Sequence, residues 1–257
     1  MRLEEMKLED LIDPDWLDRY KKETTALWWQ LVRLNANLFI LKKLADFPFQ
    51  LLGFIRQPFW DLVRYSLFEA SVMIIWRVAL DTDPHALTLR RLKNSIVQNL
   101  REEKHRSQLK RLLRKIDFEG AMSDFEPRVR DLRHKLLAHM DRDLNVDPRP
   151  EQIKQFSLYF ADLAVLQDKL NSLFELLCFS EQRLLLPIDY HPEVRHPPGV
   201  ETRPDIERLL DCAAKESALL NMPERQREVW PLWRKNLSPE ELEVLNKYRV
   251  KFGLPEA

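Results

Sequence analysis

The chain has 257 residues, with 41 lysines and arginines balanced by 41 aspartates and glutamates, so its formal net charge is zero. It is long enough to bury a substantial core, and only 4 glycines beside 32% charged residues favour helices over a sheet with tight turns. Two isolated cysteines, Cys178 and Cys212, indicate neither a zinc site nor a disulfide framework, and a reducing cytoplasm is the expected setting.

The first residues, with Glu4, Glu5, Glu9 and Asp10, lack the basic-then-apolar order of a signal peptide. A helix is expected over about 15 to 45, where Leu27, Leu31, Leu34, Leu38 and Leu41 recur at spacings of three and four. Pro48 and Gly53 mark its break. A second helix begins near Pro58, runs to Leu80 and is stopped by the Asp81-Thr82-Asp83-Pro84 turn. Its stretch from Phe68 to Leu80 is the most apolar of the chain. Glu69 and Arg77 interrupt it, and it falls short of the roughly 20 residues that span a bilayer, so it reads as the buried central helix of a bundle and not as a membrane segment.

Shorter helices follow at about 88 to 101 and 104 to 116. Residues 88 to 116 carry ten cations (Arg90, Arg91, Lys93, Arg101, Lys104, Arg106, Lys110, Arg111, Arg114, Lys115) against Glu102 and Glu103. Such a run is by default a solvated helical face. Beside a phosphate site it is also the electrostatic footprint of an RNA binder, with Arg90, Arg91, Lys93, Lys110, Arg111 and Arg114 as the candidate contacts.

Ser123-Asp124-Phe125-Glu126 reads as a capping box that starts the next helix, with Pro127 in its tolerant first turn. On that helix Phe125, Val129, Leu132, Leu136, Leu137 and Met140 make one apolar stripe, and Arg133 falls inside it. An unpaired guanidinium in a packed core is costly, so Arg133 must be paired there or face a cleft or interface that needs positive charge. His139 lies at the far edge of the stripe, about 120° around the helix and about 9 Å along it from Arg133. Such a pair suits phosphodiester cleavage: the histidine moves a proton to or from a ribose or leaving oxygen, and the arginine holds the phosphate bidentately. No metal is required. As a bare spacing Arg-x5-His is weak, and Arg128 with His134 shows it too.

The surroundings of Arg133 are more specific. Arg133, the polar His134, Lys135, two apolar residues, Ala138 and His139, with Asp141 soon after, resemble the signature of the HEPN superfamily, and most of all its abortive-infection, AbiU-like branch. Trp76-Arg77-Val78-Ala79-Leu80-Asp81 and Leu87-Thr88-Leu89-Arg90-Arg91-Leu92 also look like that branch. The resemblance covers roughly residues 20 to 180. It implies an all-α, HEPN-like helical bundle that dimerises and, in many members, a metal-independent RNase of a toxin or antiphage system. By position it makes Arg133, His134 and His139 the catalytic candidates, with no metal or other cofactor, RNA as substrate and an antitoxin protein as a partner. One motif helix offers one arginine and two histidines; a two-fold axis beside it would double the set into a composite site. Other members keep the fold as binding or regulatory modules, so a non-catalytic module that binds a nucleotide, nucleic acid or protein stays open, as does a purely structural interaction protein.

Asp147-Pro148 starts a further helix in which Ile153, Phe156, Phe160, Leu163, Leu170, Phe174 and Leu177 follow a heptad seam broken by Gln167. Such a seam belongs in a helical bundle, where a polar residue can fix a register or an oligomeric partner; burial of the seam within the monomer is the alternative. From Leu186 to Pro204 five prolines and Gly199 make a linker or extended arm, on which His191 and His196 are expected at the surface. The expected organisation is thus a helical bundle over 1-183, a proline-rich linker over 184-204 and a short helical C-terminal extension over 205-257. Helices are expected at about 204 to 220, 223 to 236 and 238 to 252, the last capped by Ser238 with Glu241, and Trp230 and Trp233 are candidates to dock this tail. The adjacent Trp28 and Trp29 can stack bases but at helical spacing are more often core or interface anchors.

Overall fold

A computed structural model describes residues 3, 6–49, 51, 58–133, 160–179, 181, 183–186, 204–215 and 237–253. The protein is all-α, and among the described residues there is no strand. The helices are α1 (Leu8–Leu11), α2 (Pro14–Asp46), α3 (Pro58–Ile75) continued by a π-helical turn (Trp76–Leu80), α4 (Leu89–Asn99), α5 (Glu103–Ile116), α6 (Phe118–Asp131), α7 (Phe160–Leu177), α8 (Asp205–Lys215) and α9 (Pro239–Lys251). Two compact units form, one from Met1–Leu38 with Ser66–Ile188, the other from Phe39–Tyr65 with Asp189–Ala257.

In the first unit the leucine stripe of α2 does what its spacing predicts: Leu27, Leu31, Leu34 and Leu38 are all buried. So is the end of the apolar run, with Val72, Ile74, Ile75, Trp76, Val78, Ala79 and Leu80 inside and the interrupting Arg77 outside. Burial of a leucine or isoleucine contributes roughly 1.5–3 kcal/mol, which makes these faces the main source of the bundle's stability. α4, α5 and α6 each pack on α7, and α4 and α6 also pack on the π turn.

α2 runs antiparallel to α7, and a polar ladder fixes their register. Tyr20 Oη donates to the carbonyl of Leu177 at 2.9 Å near one end. Near the other, the buried Asn35 meets both amides of α7: Gln167 Nε2 and Asn171 Nδ2 donate to Asn35 Oδ1, and Asn35 Nδ2 donates to Leu185 O at 2.7 Å. Gln167, the break in the heptad seam, is therefore satisfied within the chain. Leu163, Leu166, Leu170, Leu173, Phe174 and Leu177 surround it as core, whereas Phe160 is exposed.

Residues 11–13 and 99–101 also zip together, through an antiparallel bridge of Ile12 with Leu100 and the bonds Asp13 N to Asn99 O and Arg101 N to Leu11 O, both 3.0 Å. Nothing in the periodicity announces this, because it joins two helix-linking segments far apart in the chain.

The start of α6 departs from expectation. Asp117 takes the left-handed conformation (φ 50°, ψ 46°), which ends α5, and α6 begins at once with the buried Phe118. Ser123 is thus inside the helix, its hydroxyl donating to Gly120 O at 2.7 Å, and Pro127 lies in the interior. The local box was overridden by burial of Phe118 and Met122, which adds five residues of helix ahead of Ser123.

In the second unit, α9 begins with the expected capping box: Glu241 N donates to Ser238 Oγ at 3.2 Å and Ser238 N to Glu241 Oε2 at 2.8 Å. Residues 39–49 pack with α8 and α9 through Phe47 against Tyr248 (5.8 Å, edge-on) and the Lys43–Glu207 pair at 2.5 Å. Lys251 pairs with the buried Asp211 at 2.5 Å. Trp230, Trp233, His191 and His196 lie outside the described residues, as does the helix expected at 223 to 236.

Candidate functional site

Arg133 sits two residues beyond the last residue of regular α6, where Leu132 and Arg133 are π-helical. Its guanidinium carbon lies 4.7 Å from the centre of the Trp76 ring. Trp76 is buried and itself opens the π turn Trp76–Leu80, against which α6 packs. The arginine that falls inside an apolar stripe is thus carried on the face of an indole. A guanidinium over an aromatic face is attracted by the ring's negative face and keeps its N–H groups in its own plane. At Arg133 the helix widens to five-residue bonding. His134 and His139 lie outside the described residues.

α6 is held in place on both sides of its stripe. Val129 and Leu132 are buried, and Phe125 carries the Arg128 guanidinium 5.6 Å above its ring. Arg128 pairs with Asp162 of α7 at 2.5 Å. The chance spacing of Arg128 and His134 thus involves an arginine with a structural partner.

The basic block divides in two. Arg90 and Lys93 of α4 both reach Glu119, at 2.9 and 2.5 Å. Partial burial works against the Glu119 charge, but the Lys93 hydrogen bond and the positive charges of Lys93 and Arg90 outweigh it and hold the carboxyl below its ordinary range. Arg91 donates to the carbonyls of Ala86 (2.9 Å) and Thr82 (3.2 Å), pinning the 81–88 turn to α4, while Thr88 caps that helix. Arg101 bonds Ile12 O, Arg106 bonds Leu100 O, and Lys104 pairs with Glu102. Lys110, Arg111, Arg114 and Lys115 are exposed on α5 and carry no ion pair among the described residues. They fall within about 140° of helical arc and form one outward cationic face.

That face borders a groove of about 590 Å³ between α4, α5 and α6, lined among others by Lys93, Asn94, Gln98, Lys110, Arg114 and Glu119. Sequence reasoning found the cations but not the groove, and it passed over Trp76 except as part of a family-like segment. Among the described residues no cluster of three or more His, Cys, Asp or Glu could hold a metal ion, and no helix is long and apolar enough to cross a membrane. Of the tryptophan pair, Trp28 donates to Leu184 O at 2.7 Å, and Trp29 is exposed.

The family model for AbiU2, of the HEPN type, matches residues 15–178, a span that runs from α2 to the end of α7 and includes the whole Arg133 to His139 motif. No curated protein and no solved structure matches the chain.

Proposed function

The chain belongs to the AbiU2 family of HEPN abortive-infection proteins, and from that premise we propose that it is a metal-independent endoribonuclease of a toxin or antiphage system. The observation that carries this reading is the intact Arg133-His134-Lys135-Leu136-Leu137-Ala138-His139 motif within the matched span, with its arginine carried on Trp76 at the end of α6. In the reaction a ribose 2′-hydroxyl attacks the adjacent phosphorus and gives its proton to one His139 imidazole. The bond to the 5′-oxygen breaks, a second imidazole protonates that leaving oxygen, and a 2′,3′-cyclic phosphate and a 5′-hydroxyl remain. Arg133 binds the phosphate and stabilises its growing charge, and His134 supports it by hydrogen bonding. Two copies of the motif helix about a homodimer axis supply both imidazoles, and an antitoxin protein is the partner that would restrain such an enzyme.

The half-buried position of Arg133 against a buried tryptophan favours one other reading, a non-catalytic module in which the arginine is structural. Incubation of the purified protein with total RNA in EDTA, beside His139→Ala, separates the two. Cleavage by the wild type alone supports the nuclease; intact RNA with both supports the module.

A further inference from the structure

We propose that the groove between α4, α5 and α6 is a docking site for single-stranded RNA, separate from Arg133, with backbone phosphates on Lys110 and Arg114 and a base edge against Asn94 and Gln98. As the substrate-selecting site of the enzyme it rests on the nuclease reading; as a binding site it stands alone.

The walls supply complementary chemistry. Lys110 and Arg114, one helical turn apart on α5, are exposed cations without ion pairs among the described residues, spaced to follow a chain of phosphates. Asn94 and Gln98, one turn apart on α4, are exposed, and their side chains make no hydrogen bond among the described residues. Paired amides present both donors and acceptors, which is what the edge of an unpaired base requires. Val97 and Leu113 give the groove an apolar lining against which a base face can lie. Lys93 is already committed to Glu119 and so serves the wall more than the ligand. The volume of about 590 Å³ falls in the usual range for small-ligand sites.

A duplex does not fit this description. Its base edges are paired and its major groove is too deep and narrow for side chains to read, whereas an unpaired base can be splayed into a cleft. An acidic polypeptide would satisfy the cations but leave the amides and the apolar lining without a role. The groove and Arg133 lie at opposite ends of α6, which spans about 20 Å at 1.5 Å per residue, so the RNA held in the groove lies several nucleotides from the cleaved phosphate.

The test uses full-length His139→Ala protein and labelled RNA of about twelve nucleotides, read by fluorescence anisotropy across a salt series. Single strands should bind at least about tenfold more tightly than a duplex of the same length. Lys110→Gln with Arg114→Gln should flatten the slope of log affinity against log salt by about 1.4, two phosphates at about 0.7 each. Asn94→Ala with Gln98→Ala should leave the slope and narrow the differences among the four homopolymers. All four positions are exposed, and circular dichroism is the check that each variant is folded. Equal binding of the duplex, displacement by polyglutamate as readily as by RNA, or an unchanged slope in the lysine and arginine variant overturns the proposal. Because binding is read without the His139 imidazole, an inactive wild type that binds in this way sinks only the cleavage reading. An active wild type whose binding ignores these four positions sinks only the groove.

Discussion

The guanidinium of Arg133 rests 4.7 Å from the ring centre of Trp76, and both residues lie in π-helical turns of helices that pack on each other. A π turn rotates the residues beyond it relative to the preceding α-helix, so each turn re-aims a side chain that a regular helix would point elsewhere. The pair couples the orientation of the motif arginine to the buried core.

Replacing Trp76 should therefore affect Arg133 in proportion to the aromatic face that is lost. Trp76→Phe keeps a π surface and should retain most RNA cleavage. Trp76→Leu, similarly apolar, loses the cation–π contribution of about 0.5–2 kcal/mol and should lower kcat by roughly two- to thirtyfold with a smaller change in KM. Equal kcat for the two variants would show that Trp76 acts only as core.

Arg133→Lys tests the phosphate grip. Lysine keeps the charge but loses the planar fork, so a bidentate role predicts a loss approaching that of Arg133→Ala, and His139→Ala should cost about 10²- to 10⁴-fold. His134→Ala should be milder. Light scattering over a dilution series checks the composite site: a strictly monomeric, fully active protein would defeat it.

Asn35 should be among the most sensitive polar positions in the first unit. Asn35→Ala leaves the half-buried Gln167 and Asn171 amides and the Leu185 carbonyl without their partner, and water can replace only part of that bonding. A fall of about 1–3 kcal/mol in the unfolding free energy by urea titration is expected, and Gln167→Leu with Asn35→Leu, which removes one of the three unpaired groups, should recover part of it.

Asp117 and Gly120 should be strongly coupled. A methyl at Gly120 would come within 2.5 Å of the Asp117 carboxylate, so Gly120→Ala displaces that side chain and offsets the helix propensity it adds. In an Asp117→Gly background the obstruction and the left-handed strain are both gone, and the same Gly120→Ala should stabilise by about 1 kcal/mol. Additive effects in thermal unfolding would refute the clash.

Cys178 should be inert in the folded protein. Burial pushes its thiol up to about 12, with Glu181 and Glu175 adding to the rise against the opposing charge of Arg183. Iodoacetamide at pH 8 should modify only the exposed Cys212, and both thiols in denaturant. The folded value lies above the unfolded one, so the stability this group contributes is intact below about pH 9 and declines as pH rises toward 12. Cys178→Ala should make that alkaline decline shallower.

Local pattern was enough to place most helices. The leucine spacing of α2, Pro58 at the start of α3, the Asp81–Pro84 stop and the Ser238 cap are all decided within one or two turns of chain, where periodicity and capping act. The family, too, was legible, because its motif is a contiguous stretch of residues. Long-range packing decided the rest. Whether Gln167 would meet a partner molecule or its own chain depended on Asn35, 132 residues away. Which cations of the basic block stay uncommitted depended on where the Asp117 corner brings Glu119, and the local box at Ser123 gave way to the burial of Phe118 and Met122. The joining of residues 39–65 with 189–257 in one unit has no local signal at all. Contacts of this kind are selected by the burial of apolar faces and the pairing of buried polar groups, and these act between segments that no sequence window contains together.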